Sequence, residues 1–429
     1  MRNHRFRAGF LALSAVALAS GAAVRADSPP PSTDGGVTHW NAIALEVLPV
    51  DPGLLLDSRA FAIMHAAVHD AVNGIERRYQ PYTADLSSPG ASLDAAVAAA
   101  SHEVLVALSP SQQATVEAAY AAALASVPDG PAKDAGIALG RQSAQANLAR
   151  RADDGVDHVA EPVYVPTGQP GDYDFTPPFD APPQGPLALY PGFGRITPFA
   201  IDLEKHRLPG PDPLASSRYA RDLNNVKSVG RADSTTRTAD QTEIASFWFE
   251  FSPIGWNRIA STVIRDRHLD AWKAARTLAL VNFALADGYI AGFDAKYHFR
   301  FWRPYTAIRR ADTDGNPLTR GDESWQPLLG APPFFIPPVP DYPSTHTVLG
   351  AAAAEVLIHI FGDDVPFSAT STTLPGVTRQ YASFTEAAME NGMSRVFGGI
   401  HFLHAVKDGY RQGKGIGRSV SRLLPAVRH

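Results

Sequence analysis

Most of the chain beyond residue 57 spaces its apolar side chains three or four positions apart, as an amphipathic helix does. The spacing is clear from Ser58 to Arg77, and Ser92 is a suitable N-cap for an alanine-rich helix that ends at Leu108. Ser109-Pro110-Ser111-Gln112 resembles a capping box with proline at the first helical position. The same spacing predicts helices ending near Leu124 and over 132–151, 238–249, 265–296, 347–361, 384–396 and 401–424.

Two long segments interrupt this pattern. Residues 161–198 contain ten prolines and residues 309–340 are again rich in proline and glycine, so neither can form a regular helix. Strand signals are scarce and no repeat of fixed period occurs. The pattern therefore predicts an all-α fold of helical bundles joined by long Pro/Gly-rich loops.

Composition narrows the class of protein. The chain has 429 residues, 45% apolar and 19% charged, with a net charge of -5, which gives no basic field for nucleic acid. Residues 1–26 have the basic start, short apolar run and small-x-small end of a signal peptide, so we expect a secreted or periplasmic protein. We expect no membrane span. No cysteine is present, so an exported chain would form no disulfides.

The predicted organisation is a signal peptide at 1–26, a helical region at 27–250 packing on the core, and a catalytic helical bundle at 251–429. The last two are expected to form one continuous globular unit.

The first segment with chemical character holds Lys296 and Arg303, seven positions apart before Pro304. On one helix ending at the proline they would project from the same face. Two cations on an apolar, aromatic-rich face repel each other, and a tetrahedral anion between them would reverse that cost. Alone, this spacing is common at solvated helix ends.

Two later segments add matching groups. Ser344 and His346 follow Pro343 at the start of a predicted helix, whose free N–H groups and positive dipole favour an anion. Arg395 and His401 are six positions apart and lie on different faces of a straight helix. The intervening Gly398-Gly399 can break that helix and let the two side chains converge. The three segments in this order indicate an oxoanion pocket.

In these blocks the sequence resembles the vanadium-dependent haloperoxidase and type 2 phosphatidic acid phosphatase (acid phosphatase) superfamily. The superfamily pattern is Lys-x6-Arg-Pro, then Pro-Ser-Gly-His, then Ser-Arg-x5-His. Around the blocks, the chain is similar to the chloroperoxidase branch in KYHFRFWRPYTAIR, GDESWQPLLGAPP, IPPVPDYPSTHTVLG and MENGMSRVFGGIHF. FAIMHAAVHDAVNGI and PGFGRITPF are similar to secreted bacterial haloperoxidase-like members.

The resemblance implies a fold of two packed helical bundles and a role for each site residue. Vanadate, or phosphate in the same site, would be bound by Lys296, Arg303, Ser344, Thr345, Arg395 and His401. His401 would bond vanadium, or would be the phosphorylated nucleophile of a phosphatase. His346 would be the acid–base partner, and Lys296 would donate to the peroxide.

Three positions depart from the superfamily pattern. Thr345 replaces a glycine, and its β-branch narrows the loop although its hydroxyl adds a donor. Val339 stands where the peroxidase branches have an aromatic or a histidine, which affects halide preference. Ala405 stands four residues after His401, where many phosphatases have an aspartate that orients the histidine; Asp408 is a weak substitute.

Three functions fit these residues. The preferred one is a vanadium-dependent haloperoxidase, which uses hydrogen peroxide to oxidise a halide that then modifies a small organic acceptor. The alternative is a secreted acid phosphatase that hydrolyses phosphomonoesters through a phosphohistidine. The third is a non-catalytic helical protein that binds an oxoanion, although binding alone needs neither histidine. The halide, the acceptor and the existence of a homo-oligomer stay open.

Several other polar or aromatic residues are assigned to the core or to hydrogen bonding. His65 and His69, beside Asp70, have metal-ligand spacing but lack a third ligand. Asp240 is a candidate partner for a site arginine. Trp248, Phe249 and Trp256 form an aromatic cluster that is predicted to belong to the core or to line the mouth of the pocket. His298 lies on another helix face than Lys296, and His404, three residues after His401, is either an ordinary helix residue or a residue that contacts the site.

Overall fold

The structure, a computed structural model, describes residues 33–53 and 55–427. The predicted signal peptide lies outside the described residues. Residues Thr33–His429 form one compact unit. Its large apolar core extends from Val37 to Leu424, so that side chains from both ends of this unit pack together.

The N-terminal half contributes helices that pack around α2 and α3. They are α1 (Val37–Val47), α2 (Leu56–Ile75), α3 (Leu93–Leu108), α4 (Gln113–Ala125) and α5 (Pro131–Arg150). Alanines of α3 face glycines of α5, and these small residues bring the two backbones together. A Cβ atom at Gly140 would lie 2.4 Å from the carbonyl oxygen of Ala96, which excludes any side chain there.

The second half is built around one long buried helix. It comprises α6 (Ser217–Val229), α7 (Ala239–Phe247), α8 (Ser252–Asp266), α9 (Ala271–Phe299), α10 (Pro304–Arg309), α11 (Thr345–Phe361), α12 (Phe384–Phe397) and α13 (Leu403–Val420). Helix α13 lies against α11 through Gly409, Gly413 and Gly417, one glycine per turn. Helix α9 is long and apolar enough to cross a membrane, but 94% of its most apolar window is buried inside the protein. This is the behaviour of a core helix.

The all-α prediction is confirmed, with one small addition. Strands β1 (Phe367–Thr370) and β2 (Thr378–Tyr381) pair antiparallel, with Phe367 opposite Tyr381 and Thr370 opposite Thr378. Four residues per strand are too few to produce a recognisable alternation in the sequence. Helices α1, α6, α8 and α10 also went unpredicted.

Two predicted helix starts were wrong. The helix predicted over 265–296 is the end of α8 followed by α9, because the chain turns at His268 (φ 50°) and Asp270 caps the new helix through Lys273 N–H. Ser109 does not form the predicted capping box. Its hydroxyl donates to the carbonyl oxygens of Val47 and Asp51, and a short 3₁₀ turn at Pro110–Gln112 precedes α4.

The proline-rich segment 161–198 contains no α-helix, as expected, and covers part of α9. Asp287 of α9 accepts hydrogen bonds from the backbone N–H groups of Phe199, Ala200 and Ile201. The N–H of Tyr173 donates to the carbonyl oxygen of Arg300 (2.6 Å). These contacts attach the segment, and the three residues that follow it, to α9 and to Arg300 directly after it.

Candidate functional site

The three predicted blocks meet at the C-terminal end of α9, and Arg303 is the side chain that joins them. Its Nε donates to the carbonyl oxygen of Val339 (2.7 Å) and its Nη1 to that of Ile400 (2.7 Å). Nη1 also lies 3.0 Å from Nε2 of His401. One guanidinium therefore contacts the segments before the second block and within the third, 36 and 98 residues away.

The first block does not have the predicted shape. Lys296 and Arg303 do not share a helix face, because α9 ends at Phe299 and Arg300 adopts a left-handed conformation (φ 52°). Arg303 is instead the N-cap of α10. Arg300 is fixed in this conformation by two 2.8 Å bonds to Asp172. The two cations still meet, through a reversal of the chain rather than through helical spacing.

Lys296 makes contacts that the sequence did not indicate. Its side chain is fully buried, and Nζ donates to the carbonyl oxygens of Pro340 (2.6 Å), Asp341 (3.0 Å) and Pro343 (2.7 Å). An ammonium has three N–H donors, so these carbonyls use all of them. The predicted donation from Lys296 to an oxoanion or peroxide competes with these bonds, which hold the loop before α11.

The second block forms the start of α11, as predicted. Ser344 is the N-cap, and its buried hydroxyl accepts a bond from Thr347 Oγ1 (3.0 Å) rather than capping the backbone. The first-turn N–H groups of the helix therefore point out of its N-terminus. The methyl of Thr345 packs at Gly292 of α9, where a built Cβ would lie only 2.4 Å from it. The absence of a side chain at Gly292 therefore leaves room for the methyl of Thr345.

His346 is the most accessible of the predicted site residues. The other six are buried, whereas His346 retains partial exposure. Its Nε2 lies 2.7 Å from the carbonyl oxygen of Glu250, which can only accept a hydrogen bond. Nε2 therefore carries the ring proton, and Nδ1 holds the lone pair.

The third block has the predicted shape. Helix α12 ends at Phe397, and Gly399 takes φ 74° before α13 begins at Leu403. The N–H groups of Ile400 and His401 both turn back to the carbonyl oxygen of Arg395. Two features require glycine at position 399. Its φ of 74° is unfavourable for other residues, and a Cβ there would lie 2.3 Å from the carbonyl oxygen of Gly230.

Arg395 is held loosely for a buried guanidinium. Its Nη1 donates to the carbonyl oxygen of Trp248 (3.1 Å), and its Cζ lies 5.5 Å from the ring centroid of Phe249. Its Nε is buried without a hydrogen-bond partner among the described residues. A buried charged donor without a partner is costly, and an anion would remove that cost.

Sequence reasoning missed Asp341. Its carboxylate is fully buried, and Oδ1 lies 2.8 Å from Nδ1 of His401. The signal in the sequence is the single acidic residue of VPDYPSTH, directly before the second block. Asp341 lies 60 positions before His401, so no local spacing links them.

The electrostatics of the site are those of a cationic pocket. Burial first, then neighbouring Arg303, lowers the pKa of both Lys296 and Arg395. Burial and the surrounding cations also hold the pKa of His346 and of His401 well below the ordinary value, so both rings are neutral. Burial raises the pKa of Asp341 to about 6. Positive charge is thus concentrated where little negative charge offsets it.

The other departures can now be placed. Val339 is buried in the core, and its carbonyl oxygen anchors Arg303. The carbonyl oxygen of Ala405 accepts the N–H of Ser344. Asp408 does not substitute for the missing carboxylate, because it bonds the hydroxyl of Tyr342 (2.6 Å).

The residues assigned to the core behave as expected. His65 contacts Asn41, His69 contacts Asn73 and the carbonyl oxygen of Gln80, and Asp70 accepts three backbone N–H bonds. No group of three His, Cys, Asp or Glu suited to a metal ion occurs within residues 33–53 and 55–427.

Of the remaining candidates, two touch the site and the others do not. Trp248 and Phe249 contact Arg395, as described above, whereas Trp256 is core. The suggestion that Asp240 pairs with a site arginine was wrong: it pairs with Arg379 (3.0 Å) on the surface. His404 pairs with Asp222 (3.0 Å), and His298 is exposed.

Residues 276–428 match a family described as the VCPO second helical-bundle domain, which spans all three blocks. The chain is 26% identical to vanadium chloroperoxidase of Curvularia inaequalis, over 88% of this chain and 80% of the relative.

Solved structures extend the likeness to almost the whole chain. The structure described as the first bacterial vanadium-dependent iodoperoxidase superposes with a TM-score of 0.78 at 24% identity, covering 92% of this chain and 98% of that one. A holo-type bacterial vanadium-dependent chloroperoxidase gives a TM-score of 0.70 at 17% identity, covering 92% and 95%. The chain therefore has the helical fold of these proteins.

Proposed function

We propose that this chain, whose residues 276–428 form a second helical bundle of the VCPO type, is a vanadium-dependent haloperoxidase that oxidises a halide with hydrogen peroxide. The observation that carries the proposal is the meeting of three buried cations and two neutral imidazoles in this fold. The acid phosphatase and the non-catalytic binding protein are not favoured, since the relatives matched are peroxidases.

The residues present suit vanadate. Arg395 has an unused buried donor, the first turn of α11 offers N–H groups, and Ser344 adds a hydroxyl. With Arg303 and the N–H of Thr345 they would hold the oxygens of the anion, and Nε2 of His401 would bond its metal. Bound there, vanadate supplies a Lewis acid that polarises peroxide without changing its own oxidation state.

The two histidines have different tasks because their protons sit on different nitrogens. His346 keeps its proton on Nε2, against the carbonyl oxygen of Glu250, so Nδ1 is the atom that accepts a proton from entering peroxide. Its partial exposure puts this base on the accessible side of the pocket. His401 is buried and turns Nε2 towards Arg303, which suits a fixed metal ligand.

Lys296 acts in this scheme chiefly through charge and through the loop it holds. Burial is the main cause of the low pKa of both histidines, and the nearby Lys296 ammonium lowers it further, so both rings stay unprotonated and able to donate lone pairs. A direct bond from Nζ to peroxide requires one of the three carbonyl contacts to open.

The organic acceptor, the exported location and the assembly state are part of the proposal. A small organic acceptor suits an oxidised halide that leaves the pocket. The basic and apolar start of the sequence supports export to the periplasm or beyond. A homo-oligomer is compatible with this scheme and is not required by it.

One purified preparation assayed two ways tests the function. With orthovanadate, peroxide and bromide or iodide, the protein should halogenate an activated diketone, and His346→Ala should lower kcat by about 100-fold or more. His298→Ala, an exposed histidine outside the site, is the matched control and should match the wild type. Brisk hydrolysis of an aryl phosphate without vanadate, with no halogenation, would instead establish the phosphatase.

A further inference from the structure

We infer that Asp341 is the positioning residue for His401 and sets which ring nitrogen carries the lone pair that would bond the metal. Many phosphatases of the superfamily have such a carboxylate four residues after the histidine, where this chain has Ala405. The structure supplies it from the loop before α11 instead, at 2.8 Å from Nδ1. The consequence for vanadate binding rests on the proposed function.

The two neighbours of the imidazole require the same tautomer. Nε2 lies 3.0 Å from Nη1 of Arg303, which can only donate, so Nε2 must accept. Nδ1 lies 2.8 Å from Oδ1 of Asp341, and although the ring N–H is not aligned for a hydrogen bond, a carboxylate this close favours a proton on Nδ1. Arg303 and Asp341 together hold a neutral ring with its lone pair on the side of the cations.

Asp341 is itself held on each side. Its N–H donates to the carbonyl oxygen of Phe301 (2.8 Å), and its own carbonyl oxygen accepts from Nζ of Lys296 (3.0 Å). These two backbone bonds fix the loop position from which the carboxylate of Asp341 reaches the ring of His401.

This arrangement should affect the affinities of vanadate and of phosphate differently. Vanadate would gain a bond to Nε2 of His401, so its affinity depends on the tautomer and orientation that Asp341 imposes. Phosphate at rest is held by the cations and N–H groups alone. Removing the negative charge of Asp341 should weaken the first and leave the second unchanged or slightly tighter.

The test measures the affinities of vanadate and of inorganic phosphate separately, by equilibrium dialysis, for Asp341→Asn, Asp341→Glu and Asp408→Asn. Asp341→Asn should bind vanadate roughly 10–100-fold more weakly, the usual effect of losing such a partner. Its KM values for peroxide and bromide at saturating vanadate should not change. Asp341→Glu should recover part of the vanadate affinity. Asp408 is a nearby buried carboxylate that does not contact His401, so Asp408→Asn should match the wild type.

Three outcomes overturn the inference. Equal losses of vanadate and phosphate affinity in Asp341→Asn mean that Asp341 only supports the fold. Unchanged vanadate affinity means that Arg303 alone positions the ring. Wild-type protein that binds phosphate but not vanadate ends the proposed function and this inference with it, and this result is distinct from the first two because it needs no variant.

Discussion

The first and third blocks use the same device, a break after a helix that brings two distant side chains together, yet they encode it differently. In the third block the pair Gly398-Gly399 indicates the helix break in the sequence, and Gly399 has φ 74°. In the first block the break is at Arg300, an ordinary residue with φ 52°, held by Asp172. The break in the third block can be predicted from its glycines, because the backbone conformation requires them. The break in the first block depends on a tertiary contact, which the local sequence does not show.

The largest expected effect tests whether the third block depends on its backbone. Gly399→Ala places a Cβ at positive φ and against the carbonyl oxygen of Gly230, so the free energy of unfolding should fall by about 3 kcal/mol. Gly398→Ala is the matched control. It has φ -72°, which any residue adopts, but its Cβ would overlap the buried side chain of Leu329, so a loss of about 1–2 kcal/mol from overpacking alone is expected. Urea unfolding of both variants measures the difference, and equal losses would contradict this view of Gly399.

The next effect tests the junction of the first two blocks. Gly292→Ala should destabilise the protein by roughly 1–3 kcal/mol, because its Cβ would overlap the methyl of Thr345. Thr345→Gly should recover most of that loss in the double variant. A double-mutant cycle in urea measures the coupling. Additive losses would show that the two residues do not share this space.

A smaller effect concerns the charge that the blocks share. Without an anion, the pKa of His346 lies well below its ordinary value because of burial, Arg395 and Lys296. Vanadate should raise that pKa by about one unit or more, since it offsets the cations. By linkage, a pKa raised by the anion means that vanadate binds more tightly as pH falls through that value. Nitrogen-15 NMR of labelled histidines, with and without vanadate, would record the shift; no change would contradict the shared charge.

The smallest effect tests whether the first block depends on its contact. Arg300→Gly relieves the left-handed strain but loses a partly exposed ion pair with Asp172, so the two effects should nearly cancel, within about 1 kcal/mol. Arg300→Ala keeps the strain and loses the pair, so it should be less stable than the glycine variant by about 1 kcal/mol. Thermal unfolding of the two variants ranks them, and the reverse order would refute the comparison.

The sequence predicted the site better than it predicted the path of the chain. The three blocks meet as predicted. This could be predicted because their residue types are specific and few arrangements of the chain bring them together. The reversal at Arg300 and the contact between Asp341 and His401 were not predictable. Both depend on residues far apart in the chain, Arg300 on Asp172 and His401 on Asp341, and no local pattern reports such pairs.

The fold was predicted where periodicity is strong and missed where helices are short or capped from outside. α3 and α12 begin within a residue of the prediction, since Ser92 and Ser383 cap them through their own hydroxyls. The six residues of α10 leave no periodic trace. The gap between α8 and α9 was missed because the polar residues of that turn also fit the solvent face of one long helix.

The contacts of Arg303 also bear on the order of events during folding. One guanidinium bonds residues 339, 400 and 401, so the binding pocket does not exist until the last third of the chain has closed on α9. Before that step, the chain has no binding site for an oxoanion. An oxoanion that binds only this pocket therefore stabilises the native state and does not stabilise partly folded states.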